Sequence, residues 1–409
     1  MFRSKRGHCF LAVAAGLSAA GTQARALDAS DVLVYSLGPL HVRPHLTVME
    51  QYNDNIFYRP SKPTPGFPFL PIEDDFITII SPGVSLNLGR RDAHANHIFL
   101  DYTLEDSLYA THNDQNHLDH TVSLNTYLAG SHVSLDGNDR VQFLSGILGG
   151  SSNLGQKVDR FVFSDNYRLE YNFSDKTSVY ADGAFDATDY KRGTPLYDQN
   201  TLRGTGGFAF KPSSKTSLFG ELYYGQSATS PNQPSLPSSP HADFFGGFIG
   251  ARGNFTTRLS GSVKAGYESR QYSDGTPASS SPVVEVSLDE KFSDKTTASL
   301  TYSRRNSLSV QVAREAYTAD AVTAQFNQVL TPNGKLVGVV TGSFENDDYE
   351  KIGISAARHD MFYHAGFALN YNFQRWLSAG LNYEFEKYVS NQVIDYDVNR
   401  VTLRISVGY

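Results

Sequence analysis

The stretch RVTLRISVGY, Arg400 to Tyr409, alternates strictly. Val401, Leu403, Ile405, Val407 and Tyr409 are apolar, while Arg400, Thr402, Arg404 and Ser406 between them are polar. Successive side chains of a β-strand point to opposite faces, so a period of two makes one greasy face and one wet face. Back towards the N-terminus the same pattern recurs as far as about Leu40, with no convincing helical period. Strands with an apolar outer face, a polar inner face and no free edge form a transmembrane barrel. The expected fold is all-β: a transmembrane antiparallel up-and-down β-barrel of about 18 strands.

The chain opens MFRSKRGHCFLAVAAGLSAAGTQARA. Its basic start (Arg3, Lys5, Arg6), short apolar run (Phe10 to Ala20) and Ala24-Arg25-Ala26 cleavage site mark 1–26 as a secretory signal peptide. Residues 27–39 are expected as a short periplasmic segment and 40–409 as the barrel. The cysteine, Cys9, lies in the leader, so no disulfide or thiolate metal site is expected after it. The leader holds four of the 35 basic side chains and no acidic one, leaving 31 basic against 42 acidic. That balance argues against nucleic acid as a partner. No later segment reaches the roughly 18 apolar residues of a membrane helix. The expected location is the outer membrane of a Gram-negative bacterium, reached through the secretory pathway. Its partners there would be outer-membrane lipid, lipopolysaccharide and the barrel-assembly machinery.

Alternation lays out eighteen strands, at 40–52, 76–89, 95–108, 118–129, 132–143, 160–173, 177–189, 199–211, 216–226, 243–253, 258–272, 282–292, 296–305, 316–329, 335–345, 359–373, 376–388 and 397–409. Short turns are expected at 89–94, 130–131, 174–176, 212–215, 331–334 and 374–375. Longer loops fall on the other side, among them 53–75 with its five prolines, 144–158, 227–242 and 346–358. Short turns on one side and long loops on the other characterise outer-membrane barrels, and put both termini in the periplasm. A loose repeat, YNFSDKT from Tyr171 and KFSDKT from Lys291, has variants at Phe208–Pro212 and Tyr371–Trp376. Each copy sets aromatics just before a periplasmic turn, as one interfacial girdle.

About sixteen to eighteen strands enclose an aqueous bore, so inward side chains should meet water. The lumen-lining candidates are Arg43, Asp101, Glu105, Asp119, Arg168, Glu170, Asp182, Asp186, Arg203, Glu221, Lys264, Glu268, Arg270, Glu285, Asp289, Glu345, Glu384, Glu386, Arg400 and Arg404. Both signs occur, so no strong single-sign filter is expected. Tyr180, Tyr190, Tyr223, Tyr272 and Tyr388 share the inward parity, mostly towards the outer end. They are candidate platforms for stacking sugars, or simply good strand residues. The loop LSGILGGSSNLGQKV, Leu144 to Val158, either folds into the bore as a constriction or lies exposed.

Catalytic chemistry is hard to find. There is no G-x-S-x-G and no H-E-x-x-H, and GTGGFA at Gly204–Ala209 sits within a strand rather than before a helix. His41 with His45, and His112, His117 and His120, are either metal candidates or ordinary polar residues. Asn53-Asp54-Asn55 and Asn346-Asp347-Asp348 suit calcium or a turn. No metal, cofactor or catalytic residue is expected.

The segment RPHLTVMEQYNDNIF, Arg43 to Phe57, resembles the N-terminal signature of the putative beta-barrel porin family of the second type. The resemblance implies an outer-membrane barrel linked to exopolysaccharide export, working with a periplasmic polysaccharide export protein. It supplies no catalytic residues. The first expectation is therefore a conduit for an exopolysaccharide chain. The alternatives are a general diffusion porin for small solutes and an outer-membrane lipid-modifying enzyme.

Overall fold

The computed structural model describes residues 33–62, 70–89, 95–150, 155–238, 241–273, 275, 278–312, 315–350, 357–392 and 395–408. The signal-peptide reading of 1–26 and the aromatic Tyr409 lie outside these residues. A short strand, β1 (Tyr35–Leu37), turns back through Gly38, whose φ of +61° suits glycine. Eighteen long strands follow: β2 (Leu40–Asn53), β3 (Asp75–Gly89), β4 (His97–Tyr109), β5 (His117–Ala129), β6 (Val133–Leu144), β7 (Arg160–Ser174), β8 (Thr177–Tyr190), β9 (Tyr197–Phe210), β10 (Thr216–Pro231), β11 (Ala242–Asn254), β12 (Leu259–Tyr272), β13 (Ser279–Ser293), β14 (Thr296–Leu308), β15 (Ala316–Val329), β16 (Leu336–Tyr349), β17 (His359–Gln374), β18 (Leu377–Ser390) and β19 (Tyr396–Val407). Each pairs antiparallel with the next, and β19 closes on β2 with Arg400 opposite Asn53 and Val407 opposite Leu46. The result is a closed eighteen-stranded barrel. Where β19 ends, β1 takes over the same edge of β2, with Tyr35 opposite Val42.

Register carries one face unbroken around the wall. Val48, Ile80, Leu169, Leu222, Ile249, Phe367 and Leu403 all lie on the exposed outer side, Leu222 and Ile249 at about three-quarters exposure (75% and 76%). Exposed aliphatics on every part of a closed wall need lipid around them. At about 3.3 Å per residue and a tilt near 40°, a 14-residue strand rises roughly 35 Å, beyond the ~25 Å apolar band. The excess lies at the outer end. There β10 runs on to Pro231, β14 to Leu308 and β16 to Tyr349, past the expected 226, 305 and 345. Above the lipid the outward side chains need not be apolar, so alternation fades while the hydrogen-bond ladder continues. At the other end of the last strand, β19 stops at Val407.

The aromatic repeat has a backbone counterpart. Asn172 faces Ser178 but Ser174 faces Thr177, so Phe173 is an extra residue; the same shift occurs at Phe292 and at Phe373. A bulge of this kind bends the strand and re-aims a side chain. All three rings point outward at the periplasmic rim, and Tyr171 and Tyr371 pack edge-on against Phe173 and Phe373 at 4.9 and 4.8 Å. In two copies the serine after the bulge, Ser174 or Ser293, accepts the N–H of the lysine two positions on.

The outer face is not wholly apolar. Asp139 and Asp165 stand opposite each other on it, and Tyr167 donates its hydroxyl to Asp139 at 2.5 Å while its ring covers Gly137. Hydrogen bonding by the tyrosine offsets part of the cost of a carboxylate on this face.

Candidate functional site

All twenty charged candidates, from Arg43 to Arg404, fall on the parity opposite the exposed aliphatics. The structure does not spread them evenly. On β8 to β11 the rings of Tyr180, Phe219, Tyr223, Phe244 and Phe248 form a buried floor on the bore wall. This floor explains why β11 looks apolar on both faces. Cations lie across it: Arg168 is 4.2 Å from the centre of Tyr180, Lys264 4.4 Å from Phe248, Arg270 5.0 Å from Phe244 and Arg252 5.5 Å from Phe219. A guanidinium or ammonium over a ring face is attracted by its quadrupole.

Carboxylates then cross-link the cations. Arg168 donates twice to Asp182, both bonds 2.7 Å, and approaches Glu221 at 3.5 Å. Lys264 bridges Glu221 at 3.5 Å and Glu285 at 3.0 Å. Arg270 donates to Glu268 at 2.7 Å, Arg305 to Glu345 at 2.8 Å, and Arg252 lies 3.8 Å from Glu170. Elsewhere on the wall, Asp101 accepts from Ser85 and meets His45 at 3.1 Å, Arg404 donates to Asn370, and Asp119 accepts the Ser145 N–H. Asp136, Arg252 and Arg305 were not among the sequence candidates, although parity within their strands identifies them. Arg358, which precedes β17 and bonds Asp360, has no periodicity to mark it.

The five tyrosines face inward but none offers an open ring. Tyr180 lies beneath Arg168 and Arg252 with its hydroxyl on Glu221, close to the periplasmic end rather than the outer one. Tyr223 stacks on Phe248 at 5.4 Å and donates to Glu268. Tyr190 packs with Leu148, Val158 and Leu196, and Tyr272 rests on Ala242, Leu308 and Ala316. Tyr388 stacks on Tyr396 and donates to Asp360 at 2.6 Å. Protein surrounds all five: Tyr180, Tyr190, Tyr223 and Tyr388 are buried and Tyr272 is half-buried.

The outer half of the bore is narrowed by chain that turns inward. The described part of 144–158 enters it. Ile147 packs on a cluster of Ile56, Phe57, Ile77, Ile79 and Tyr109, and Leu148 joins Val158, Tyr190 and Leu196. Its Gly150 N–H reaches the hydroxyl of Tyr396 on β19 at 2.5 Å. That hydroxyl donates to Glu386 at 2.8 Å, and Arg400 donates to both Glu386 and Tyr58 at 3.0 Å. A second segment, the connection after β14, leans across to β9, where the Tyr197 N–H donates to Val310 at 2.8 Å. The two segments meet at adjacent residues, Leu196 and Tyr197, both almost wholly buried.

The Asn53–Phe57 motif belongs to this constriction. Asn399 donates its backbone and side-chain N–H groups to Asp54, both at 2.7 Å, and Asn55 donates to the carbonyls of Arg59 and Asp397. The motif thus fastens β2 to β19 and turns Ile56 and Phe57 inward. Asp348 pairs with His359 at 2.6 Å. His112, His117 and His120 do not converge: the first meets Glu73 and Asp75, the second donates to the Gln115 carbonyl, and the third contacts Tyr102. Outside the wall, Glu73 is held below the usual carboxylate range by its bonds to Arg59 and His112. For His112 burial alone would lower the pKa, but bonds to Asp75 and Glu73 prevail and raise it.

A closed barrel with lipid-facing aliphatics and a charged bore is an outer-membrane channel scaffold. Residues 243–409 match the family model of putative beta-barrel porin 2. The Arg43–Phe57 signature lies outside that stretch, and the match falls on β11 to β19. No curated protein matches the chain. Among solved structures it is similar to Pseudomonas aeruginosa OpdK with vanillate: 9% identity, 90% of this chain and 99% of that one, TM-score 0.45. Acinetobacter baumannii OccAB4 has 11% identity over 90% and 98%, TM-score 0.42. Pseudomonas aeruginosa OccK3 (OpdO) has 12% identity over 90% and 96%, TM-score 0.43.

Proposed function

We propose that this barrel is a narrow diffusion channel for small polar solutes across the outer membrane, and not an enzyme. One observation carries this reading: two inward-turned segments join at Leu196 and Tyr197, across the outer half of the bore. A wall of compensated charge below them offers polar solutes many weak contacts and no strong single-sign trap. Buried tyrosines leave no ladder of ring faces for a sugar polymer, which weighs against the exopolysaccharide conduit. The secretory route, the barrel-assembly machinery and the surrounding lipopolysaccharide follow from the same reading.

The test is reconstitution in planar bilayers, together with deletion of the gene. Small ion conductance, with reduced uptake of small nutrients and normal secreted polymer in the deletion strain, is the expected result. Loss of secreted polymer with unchanged uptake would overturn it in favour of export, with a periplasmic export protein as partner.

A further inference from the structure

Below the constriction the wall holds a recess of ≈ 350 Å³. Six charged side chains line it: Asp136, Arg168, Asp182, Arg203, Glu221 and Lys264. Three are cationic and three anionic, so the recess has no net charge. Four of the six are committed to one another or to Glu285, through Arg168 with Asp182 and Glu221, and through Lys264 with Glu221. Asp136 and Arg203 make no ion pair or hydrogen bond among the described residues. Asp136 is exposed to the bore, and Arg203 is half-buried with its guanidinium 5.9 Å from the Tyr223 ring.

Their placement sets the shape of what fits. Asp136 faces Arg168 across the ladder, Arg168 faces Asp182, and Asp182 faces Thr205, two residues from Arg203. Three strand spacings separate these two charges, about 14 Å around the wall, with Asp186 lining the adjoining recess beside Arg203. Both side chains extend into the recess, and the arginine stem covers roughly half that span. The remaining gap suits a molecule carrying both charges a few bonds apart. A simple anion would meet Arg203 but leave Asp136 unmatched and repelling it; a simple cation has the converse problem. A dipolar solute satisfies both.

We propose that this recess is a binding site for a small zwitterion, a free amino acid, with its carboxylate on Arg203 and its ammonium on Asp136. The assignment deepens the diffusion-channel reading and takes its solute from it. Equilibrium dialysis of labelled alanine against the full-length barrel in detergent tests the site without requiring conductance. Alanine should bind and should be displaced more weakly by acetate or by ethylammonium than by unlabelled alanine. Arg203→Gln and Asp136→Asn should each weaken alanine binding about tenfold, the loss of one hydrogen bond to a charged group, while Arg203→Lys retains most of it. Heat-modifiable migration on gels verifies that each variant is a folded barrel. No alanine binding, binding untouched by either variant, or displacement by acetate as strong as by alanine would overturn the site. Conductance of potassium chloride in bilayers is the separate arm. Ion current without alanine binding removes the site and leaves the channel; alanine binding without ion current removes the channel and leaves the site.

Discussion

Tyr396→Phe tests whether the inward-turned segment is latched to the wall. The Tyr396 hydroxyl accepts the Gly150 N–H at 2.5 Å and donates to Glu386 at 2.8 Å. Its ring stacks on Tyr388 at 5.5 Å and meets Tyr58 edge-on at 4.9 Å, contacts that phenylalanine keeps. Glu386 retains Arg400. The substitution therefore removes chiefly the partner of the Gly150 N–H. The Gly150 N–H is only part-buried, so leaving it unmet costs towards the low end of about 1–3 kcal/mol, and near 1 kcal/mol a local opening equilibrium moves roughly fivefold. Lys157 reports on that opening, because its ammonium is tied to the carbonyls of Asp114 and Asn116 while the segment is docked. Trypsin added to the outer side should cut after Lys157 about fivefold faster in the variant, provided reclosing outpaces cleavage. Single-channel records should show a matching rise in current fluctuation. Equal cleavage rates in two folded proteins would refute the latch.

Three further outcomes follow from the same contacts. Gly207→Ala drives a Cβ into the ring of Tyr180, which Arg168 and Arg252 hold in place, so overpacking should cost about 1–3 kcal/mol and lower the temperature of heat-modified migration; an unchanged temperature would mean the ring moves freely. His112 has a raised pKa, so its contribution to holding Glu73 and Asp75, at the described end of the loop before β3, is full below the ordinary histidine value and decays as pH climbs past the raised one. Glu73 has a lowered pKa, so its share is lost only as pH falls below the usual carboxylate range. Proteolysis of that loop should accelerate as pH rises above the ordinary histidine value, and His112→Gln should flatten the profile; a steep profile in the variant rejects the assignment. Arg168→Ala leaves Asp182 and Glu221 with one cation fewer, so reversal potentials under a potassium chloride gradient should move towards cation selectivity, and Asp182→Asn should move them the opposite way.

The wall was legible in the sequence and the mouth was not, for one physical reason. Lipid imposes a period of two on every residue it touches, so Leu377, Ala379, Leu381, Tyr383 and Phe385 declare their face without any knowledge of their neighbours. The same rule placed Arg168, Glu221 and Lys264 on the inner face. It could not say that Arg168 chooses Asp182 or that Tyr180 lies beneath it. Those pairings depend on which residues the register brings level across neighbouring strands, and a shift of two residues would preserve the alternation while changing every partner. Above the lipid even the period is lost. Nothing periodic distinguishes Gly150 reaching Tyr396 from a loop lying in water, and Arg358 has no strand parity at all.

The Asn53–Phe57 motif shows how closing the barrel and narrowing it are joined. The seam between β2 and β19 pairs only Leu46–Asn53 with Arg400–Val407, whereas β18 pairs with β19 back to Tyr396. Because β2 leaves the wall at Asn53 to turn inward, residues 396–399 would keep an open edge. Unpaired strand groups at an edge are costly to bury and prone to pairing elsewhere. Asp54 and Asn55 meet that need with side chains, accepting from Asn399 and donating to the Asp397 carbonyl. The same turn delivers Ile56 and Phe57 to the cluster on which Ile147 rests. A substitution such as Asp54→Ala therefore acts on two things at once: it loosens the last seam of the barrel and removes the support of the segment that narrows its mouth.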